Sequence, residues 1–197
     1  MQPIPSSRAL FWLLLAVPAL LTLTRFATDP EPWLADYIAD TGLWSARLLI
    51  VALSLTPLRE LIGPRRWMLR LIRNRRAIGV AAFFYLLLHL GFYVADMASL
   101  DAILDEALIP SMLAGWLGLA AMLAPALTSN DASMRLLGPR WKKLQRLVYV
   151  VAVATLVHWL LVHDGRTEAL LHFLPLALLQ SLRLARGFVP QFTPRRS

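Results

Sequence analysis

The sequence predicts an all-α integral membrane protein, a six-transmembrane-helix bundle with both termini cytoplasmic. Hydrophobic residues make up 58% of the chain and charged residues 16%, and the mean hydropathy of +0.58 is too high for a soluble globular domain. Six apolar runs, each near the roughly 20 residues that cross a bilayer, are separated by polar segments. Basic and acidic segments alternate between these runs, which is typical of a chain that crosses a membrane repeatedly.

The apolar runs define the predicted helices in chain order. They cover residues 9–27, 44–62, 77–97, 108–127, 147–163 and 169–187. The first run follows Arg8 like a secretory signal, but it is long and no small-x-small cleavage site follows it, which favours a retained helix. We therefore predict one transmembrane domain over residues 1–187, with its core at 40–186, and a cytoplasmic tail over 188–197.

The charged segments predict the orientation of the chain. Two segments are strongly basic and should face the cytoplasm because of the positive-inside rule; they contain Arg59, Arg65, Arg66, Arg70, Arg73, Arg75 and Arg76, then Arg135, Arg140, Lys142, Lys143 and Arg146. The alternate segments are acidic and should face outward; they contain Asp29, Glu31, Asp36 and Asp40, then Asp96, Asp101, Asp105 and Glu106, then Asp164 and Glu168. Topology and membrane lipid explain the net charge of +8 better than nucleic acid does.

The composition also excludes several kinds of chemistry. The chain has no cysteine, which rules out disulfides, iron–sulfur clusters and covalent c-type haem attachment. It has no H-E-x-x-H motif and no serine, histidine and aspartate set on facing spans, so we predict no catalytic residue of its own. Any metal must therefore depend on histidine, methionine, tyrosine or carboxylate ligands.

Two histidines lie deep inside predicted spans. His89 is 12 residues into the third run and His158 is 11 residues into the fifth. At ~1.5 Å per residue both imidazoles lie about 16–18 Å from the cytoplasmic edge. Two imidazoles at one level on separate helices are what the iron of a non-covalent haem needs, and the alternative is that each bonds a backbone carbonyl of a neighbouring helix. Gly91 and Ala154 are small residues that could make room for the macrocycle.

The other aromatic candidates are less specific. His163 and His172 should lie near the outer surface as solvated or interfacial side chains, although His172 could contact a haem propionate. Tyr85 and Tyr93 lie four residues either side of His89, which is compatible with either a haem pocket or core packing. Trp159 should face lipid, about 100° around the helix from His158.

Four segments together resemble a known family. They are SLTPLR (54–59), RRAIGVAAFFYLLLHLGFY (75–93), GWLGLAAMLAPALTSN (115–130) and LGPRWKKLQRLVYVVAVATLVHWL (137–160). In this order they resemble the ferric-reductase-like transmembrane group, and within it the haem-binding membrane subunits of bacterial periplasmic methionine sulfoxide reductase systems. The resemblance covers roughly residues 40 to 186.

The resemblance implies an inner-membrane b-type cytochrome with His89 and His158 as axial ligands of the haem iron. It also implies electron transfer from a quinol or flavin to a periplasmic molybdopterin-containing methionine sulfoxide reductase that repairs oxidised proteins. Flavin mononucleotide (FMN) is implied as a further cofactor, and we expect basic side chains such as Arg65, Arg66 and Arg70 to pair mainly with lipid rather than with its phosphate.

The chain departs from the family pattern at one position. Where that pattern W-x-x-L-H-x-L-V-Y has histidine, this chain has Gln145. A second histidine pair nearer the cytoplasm would fall at Gln145 and Arg76, and neither residue is an ordinary haem ligand. We therefore predict one haem b, with a quinol or a flavin bridging the remaining 13 residues, about 20 Å of membrane.

Three alternative functions remain open at this point. A ferric or metal reductase would carry a flavin and nucleotide domain, and no GxGxxG is present. A quinol-oxidising membrane cytochrome is also compatible with the histidines. A non-redox membrane protein would use the histidines only as hydrogen-bonding groups between helices.

Overall fold

All regular secondary structure in the described part of the protein is helical. The computed structural model describes residues 7–162 and 165–188, which contain ten helices. They are α1 (Ser7–Thr28), α2 (Leu34–Ile62), α3 (Arg66–Arg73), α4 (Arg75–Met97), α5 (Leu100–Glu106), α6 (Pro110–Leu127), α7 (Asp131–Leu137), α8 (Pro139–Gln145), α9 (Leu147–Leu161) and α10 (Arg166–Phe188). All six predicted helices are present, and four short helices (α3, α5, α7 and α8) lie in the polar segments between them.

Five helical stretches of the described chain are long and apolar enough to cross a membrane. They are Ala9–Thr28, Leu34–Ile62, Arg75–Met97, Pro110–Leu127 and Pro139–Leu161, the last comprising α8 and α9. Helix α10 is not among them, because its charged residues lower its hydropathy. The prediction of an all-α, multi-pass membrane protein is confirmed, and a sixth crossing by α10 stays a prediction, as do the cytoplasmic termini.

Helix α2 begins ten residues earlier than the sequence predicts, at Leu34 instead of 44. Asp36 and Asp40 therefore lie on the helix and not in the outer loop that the sequence predicts. Acidic side chains suit the first turns of a helix because they oppose the positive end of its dipole. Arg25 on α1 also faces both carboxylates, at 3.6 Å from Asp36 and 3.3 Å from Asp40.

The centre of the bundle consists of two antiparallel helix pairs. In the α2/α4 pair, Ser45 donates a hydrogen bond to the carbonyl oxygen of Ala82 (2.9 Å). In the α6/α9 pair, the backbone of Gly118 approaches the side chain of Ala154, so closely that an added Cβ would lie 3.5 Å away. The two pairs meet in one apolar core formed by Leu49, Leu53, Ala82, Phe83, Met122, Val151, Ala152, Phe173 and Leu176.

The remaining long helices flank these pairs. Helix α10 runs parallel to α2, where Gln180 donates to the carbonyl oxygen of Leu53 (3.2 Å) and Arg183 pairs with Glu60 (2.9 Å). Helix α1 packs on α2 and α4 and exposes many leucine side chains, as a lipid-facing helix does. The central pairs are thereby left as the most buried part of the membrane domain.

Candidate functional site

His89 and His158 face each other across the boundary between the two helix pairs. Their ring centroids are 6.2 Å apart and the ring planes are inclined at 87°. His89 lies on α4 and His158 on α9, so the two rings come from different pairs. The helices therefore bring together the two imidazoles that the sequence predicts to lie at one depth.

One nitrogen of each imidazole is already engaged. Nδ1 of His89 lies 2.8 Å from the carbonyl oxygen of Ile38, and Nδ1 of His158 lies 2.7 Å from that of Ser111. A carbonyl can only accept, so in each ring Nδ1–H is the donor. In a neutral imidazole the proton on Nδ1 leaves the lone pair on Nε2, the atom that can bind a metal. Bonding to a neighbouring helix and ligation are thus compatible in the same side chain.

Two glycines make room for these rings. A Cβ added to Gly42 would lie 2.8 Å from Nδ1 of His89, and one added to Gly115 would lie 3.0 Å from Nδ1 of His158. That Gly91 and Ala154 make room for the macrocycle stays a prediction. Gly91 has nothing within 4 Å of such a Cβ, and Ala154 packs on Gly118. Glycine destabilises a helix relative to alanine, so a glycine within a predicted helix indicates a position where a side chain would not fit. Gly115, within the apolar run 108–127, is such a position.

Two buried hydrogen-bond donors next to the histidines have no partner within the described chain. They are the hydroxyl of Tyr93, one turn beyond His89, and the indole Nε1 of Trp116, adjacent to Gly115. Their rings are in edge contact at 6.2 Å, joining α4 to α6. A buried donor without an acceptor costs free energy, so a bound group carrying acceptor oxygens would be favoured here.

His172 lies in a separate polar cluster on α10. Its Nδ1 donates to the carbonyl oxygen of Glu168 (2.8 Å), and its Nε2 accepts a hydrogen bond from Nε of Arg47 (3.2 Å). The Trp159 ring contacts the His172 ring, with centroids 5.1 Å apart and planes inclined at 39°, and so does not face lipid alone, which corrects its sequence-based placement. His163 lies outside the described residues, as do Asp164 and the predicted tail beyond Phe188.

Arg47 is a cation inside a membrane-spanning helix. Its guanidinium lies 5.4 Å from the centroid of the Trp44 ring, and within the described residues no salt bridge to a carboxylate is found for it. A charged residue within a membrane-spanning helix is rare unless it serves a function. The interruption of the apolar run 44–62 by this charge is the signal that sequence reasoning did not use.

Tyr85 has a structural role. Its hydroxyl donates to the carbonyl oxygen of Leu15 (2.9 Å) and accepts from the backbone N–H of Ala19 (2.8 Å). These two groups would ordinarily bond to each other within α1, so the tyrosine is inserted into that hydrogen bond. Of the two open interpretations of Tyr85, the geometry favours packing.

The two positions where a second histidine pair would lie are occupied by other interactions. Gln145 donates to the carbonyl oxygen of Pro125 (3.0 Å). Arg76 pairs with Asp131 (2.6 Å) at the start of α7. Within residues 7–162 and 165–188, no group of three or more histidine, cysteine or acidic side chains could hold a metal ion.

Comparison with known proteins agrees with this architecture. Residues 41–156 match the family described as ferric reductase like transmembrane component. Proteins of Brucella ovis, Brucella canis and Brucella suis named protein-methionine-sulfoxide reductase heme-binding subunit MsrQ are 36% identical over 200 residues, covering 93% of this chain and 87% of each relative. No solved structure matches the chain. The chain therefore belongs to the ferric-reductase-like transmembrane family, in its group of MsrQ heme-binding subunits.

Proposed function

We propose that this protein binds one haem b through His89 and His158 and carries electrons across the bacterial inner membrane to a protein-methionine-sulfoxide reductase. The single observation behind this proposal is the facing pair of imidazoles, 6.2 Å apart, each with Nδ1 engaged and Nε2 available. The names of the relatives, which specify a heme-binding subunit, support the same assignment.

The separation of the two rings fits ligation of one metal ion. A bond between a metal and an imidazole nitrogen is about 2 Å long. The ring centroid lies about 1.2 Å behind that nitrogen, given ring bonds of about 1.3–1.4 Å. The distance from the metal to each ring centroid is therefore about 3.2 Å, and two such distances in line give a centroid separation of about 6.4 Å. This value is close to the observed 6.2 Å. Two rings in van der Waals contact by chance would not need to have both Nδ1 atoms turned away toward backbone carbonyls.

The polar groups around the histidines fit the carboxylates of a haem. Tyr93 and Trp116 supply two buried donors that have no acceptor among the described residues. Arg47, held by His172 in the separate cluster, would supply a positive charge to the pocket, and His172 would contribute through this arginine instead of as a ligand. Charge-assisted hydrogen bonds to carboxylates are stronger than neutral ones, so these residues would favour the propionate side of the macrocycle.

The residues of the chain set what the bound group can do. A bound haem would supply one-electron redox chemistry, and His89 and His158 would hold its iron through Nε2. The carbonyl groups of Ile38 and Ser111 orient the imidazoles and increase their basicity through the Nδ1–H bonds. The apolar core formed by α2, α4, α6, α9 and α10 would keep water away from a group bound between the two helix pairs.

The direction of transfer follows from the charge of the two ends of the bundle. The basic segments around α3, α7 and α8 should face the cytoplasm and the acidic segments the periplasm. Electrons would then leave at the acidic face to a periplasmic reductase whose cofactor is a molybdopterin. Helix α10 forms the sixth crossing in this proposal, and residues 1–187 form the haem-binding domain with a cytoplasmic tail at 188–197.

The inner half of the path needs another electron carrier. Gln145 and Arg76 are engaged with Pro125 and Asp131, which supports a single haem. A quinol from the membrane or a flavin at the basic face would supply the electrons. FMN is the flavin that the family resemblance implies, and the exposed Arg65, Arg66 and Arg70 are suited to its phosphate or to anionic lipid.

The test is an optical spectrum of the purified protein with a haem count. We expect a low-spin b-type spectrum with one haem per chain, lost in His89→Ala and in His158→Ala. His172→Ala should keep the low-spin spectrum with a lower haem affinity, because His172 holds Arg47 and is not an axial ligand in this proposal. A colourless wild-type protein that is correctly folded would favour a non-redox role. Reduction of ferric iron or another metal ion in place of the periplasmic reductase, in reconstituted membranes, would favour the metal-reductase alternative.

A further inference from the structure

We infer that Gly42 and Gly115 are positioning residues that hold the two imidazoles in their tautomer and perpendicular orientation, by two copies of one helix-to-helix arrangement. The inference rests on the proposed haem ligation. It concerns residues other than the two ligands, and it assigns them a measurable effect on both imidazole rings.

The same arrangement occurs in both helix pairs. In the α2/α4 pair, the carbonyl of Ile38 accepts from His89, and Gly42 follows Ile38 by four residues on α2. In the α6/α9 pair, the carbonyl of Ser111 accepts from His158, and Gly115 follows Ser111 by four residues on α6. Four residues are about one helical turn, so carbonyl and glycine lie on the same face of each helix.

The two arrangements are similar in structure, but the two segments are not similar in sequence. IADTG at 38–42 and SMLAG at 111–115 share only the final glycine and the spacing. A backbone carbonyl needs no particular side chain, so the accepting residue is an isoleucine in one pair and a serine in the other. The glycine is the one part of the arrangement that depends on residue type.

Contact distances explain why glycine is needed. An added Cβ at Gly42 would lie 2.8 Å from Nδ1 and 3.1 Å from Cε1 of His89. At Gly115 the corresponding distances to His158 are 3.0 Å and 3.2 Å. Carbon and nitrogen atoms that are not bonded attract best at about 3.5–4.0 Å, so a methyl group would push either ring away from its carbonyl. The displacement should be larger for His89.

The position of the ring controls its chemistry as a ligand. The Nδ1–H bond to the carbonyl selects the tautomer with Nε2 free, and it sets the rotation of the ring about its own axis. The two pairs together hold the ring planes at 87°. In a low-spin ferric haem, the anisotropy of the electron paramagnetic resonance (EPR) signal depends on the angle between the planes of the axial imidazoles. Perpendicular planes should produce a strongly anisotropic signal.

Alanine variants of the full-length protein in detergent test the inference. We expect Gly42→Ala to weaken haem binding about 10- to 100-fold, the usual effect of disturbing the support of a metal ligand. Gly115→Ala should weaken it less. The haem that remains bound should have a less anisotropic EPR signal and a shifted midpoint potential.

Two glycines elsewhere in the same helix pairs provide matched controls. Gly118 lies on α6, three residues after Gly115, and an added Cβ would be at an ordinary 3.5 Å from Ala154. Gly79 lies on α4, ten residues before His89, and an added Cβ would have nothing within 4 Å. Gly118→Ala and Gly79→Ala should leave haem affinity, EPR signal and potential unchanged. Equal effects in the controls and the test variants would overturn the inference.

A measurement on the unmutated chain covers the case in which a variant does not fold. Nitrogen-15 spectra of the haem-free wild-type protein should show the proton on Nδ1 and a free Nε2 in both His89 and His158. A proton on Nε2 in either ring would overturn the inference. A wild-type protein with these tautomers that never takes up haem would instead refute the proposed function and leave the assigned ring geometry standing.

Discussion

Gln145 donates a hydrogen bond from Nε2 to the carbonyl oxygen of Pro125 at 3.0 Å, across the α6/α8 contact. The same nitrogen lies 3.4 Å from the hydroxyl of Thr128, and the indole of Trp141 donates to the Thr128 carbonyl at 2.9 Å. This amide therefore links α8 to α6 at the basic end of the α6/α9 pair, at the position where the family pattern has a histidine. The residue that replaces a ligand has a structural function of its own.

The haem stoichiometry should not respond to restoring that histidine alone. In Gln145→His we expect one haem per chain, as in the wild-type protein, because Arg76 would still pair with Asp131 at 2.6 Å where a second ligand would be needed. Pyridine haemochrome titration against protein concentration measures the ratio. Two haems per chain in this variant would show that Arg76 does not prevent a second site, and two haems in the wild-type protein would contradict the single-haem proposal.

Removing the hydroxyl of Tyr93 should affect the loaded and the haem-free protein differently. In Tyr93→Phe the haem-free protein should be as stable as wild type or more so, because a buried unpaired donor is deleted. Haem affinity should fall by about fivefold to tenfold, the equivalent of one hydrogen bond of about 1–1.4 kcal/mol. Haem titration and thermal unfolding, both with and without haem, provide the two readouts.

Tyr85→Phe is the matched control for Tyr93→Phe. The Tyr85 hydroxyl is already paired with Leu15 and Ala19 of α1, so its loss should destabilise the haem-free protein by about 1 kcal/mol and leave haem affinity nearly unchanged. The reverse result, with Tyr85 affecting haem affinity and Tyr93 only stability, would exclude Tyr93 from the pocket.

The charge of Arg47 should raise the reduction potential of the proposed haem. A nearby cation disfavours the ferric state, which carries one more positive charge than the ferrous state, so Arg47→Gln should lower the midpoint potential. The expected shift is on the order of tens of mV. Redox titration monitored by the optical spectrum measures it, with Arg183→Gln at the exposed Glu60 contact as the control. An equal shift in both variants would point to a general charge effect.

The proposed topology can be tested on a background that contains no cysteine. In intact cells, an impermeant maleimide should label Asp101→Cys on α5. Ala132→Cys on α7 and Ser197→Cys at the end of the tail should be labelled only after the membrane is permeabilised. Labelling of Ser197→Cys in intact cells would show that α10 does not form the sixth crossing.

The long helices could be predicted because each is an almost continuous apolar run that matches the thickness of a bilayer. The start of α2 could not, since Asp36, Asp40 and Gly42 interrupt the hydrophobic pattern there. Their helical conformation depends on contacts with other elements. Arg25 of α1 pairs with the carboxylates, and the His89 ring occupies the space beside Gly42.

The amino-acid sequence by itself determined the membrane class, the level of His89 and His158, and the family, because composition, helical rise and motif order are one-dimensional properties. Tertiary structure alone decided what surrounds those histidines. The acceptors are main-chain carbonyls of Ile38 and Ser111, which any residue type provides and no sequence pattern reveals. Likewise, Gly42 lies outside the predicted spans, and only the packing of α2 on α4 brings it against the imidazole.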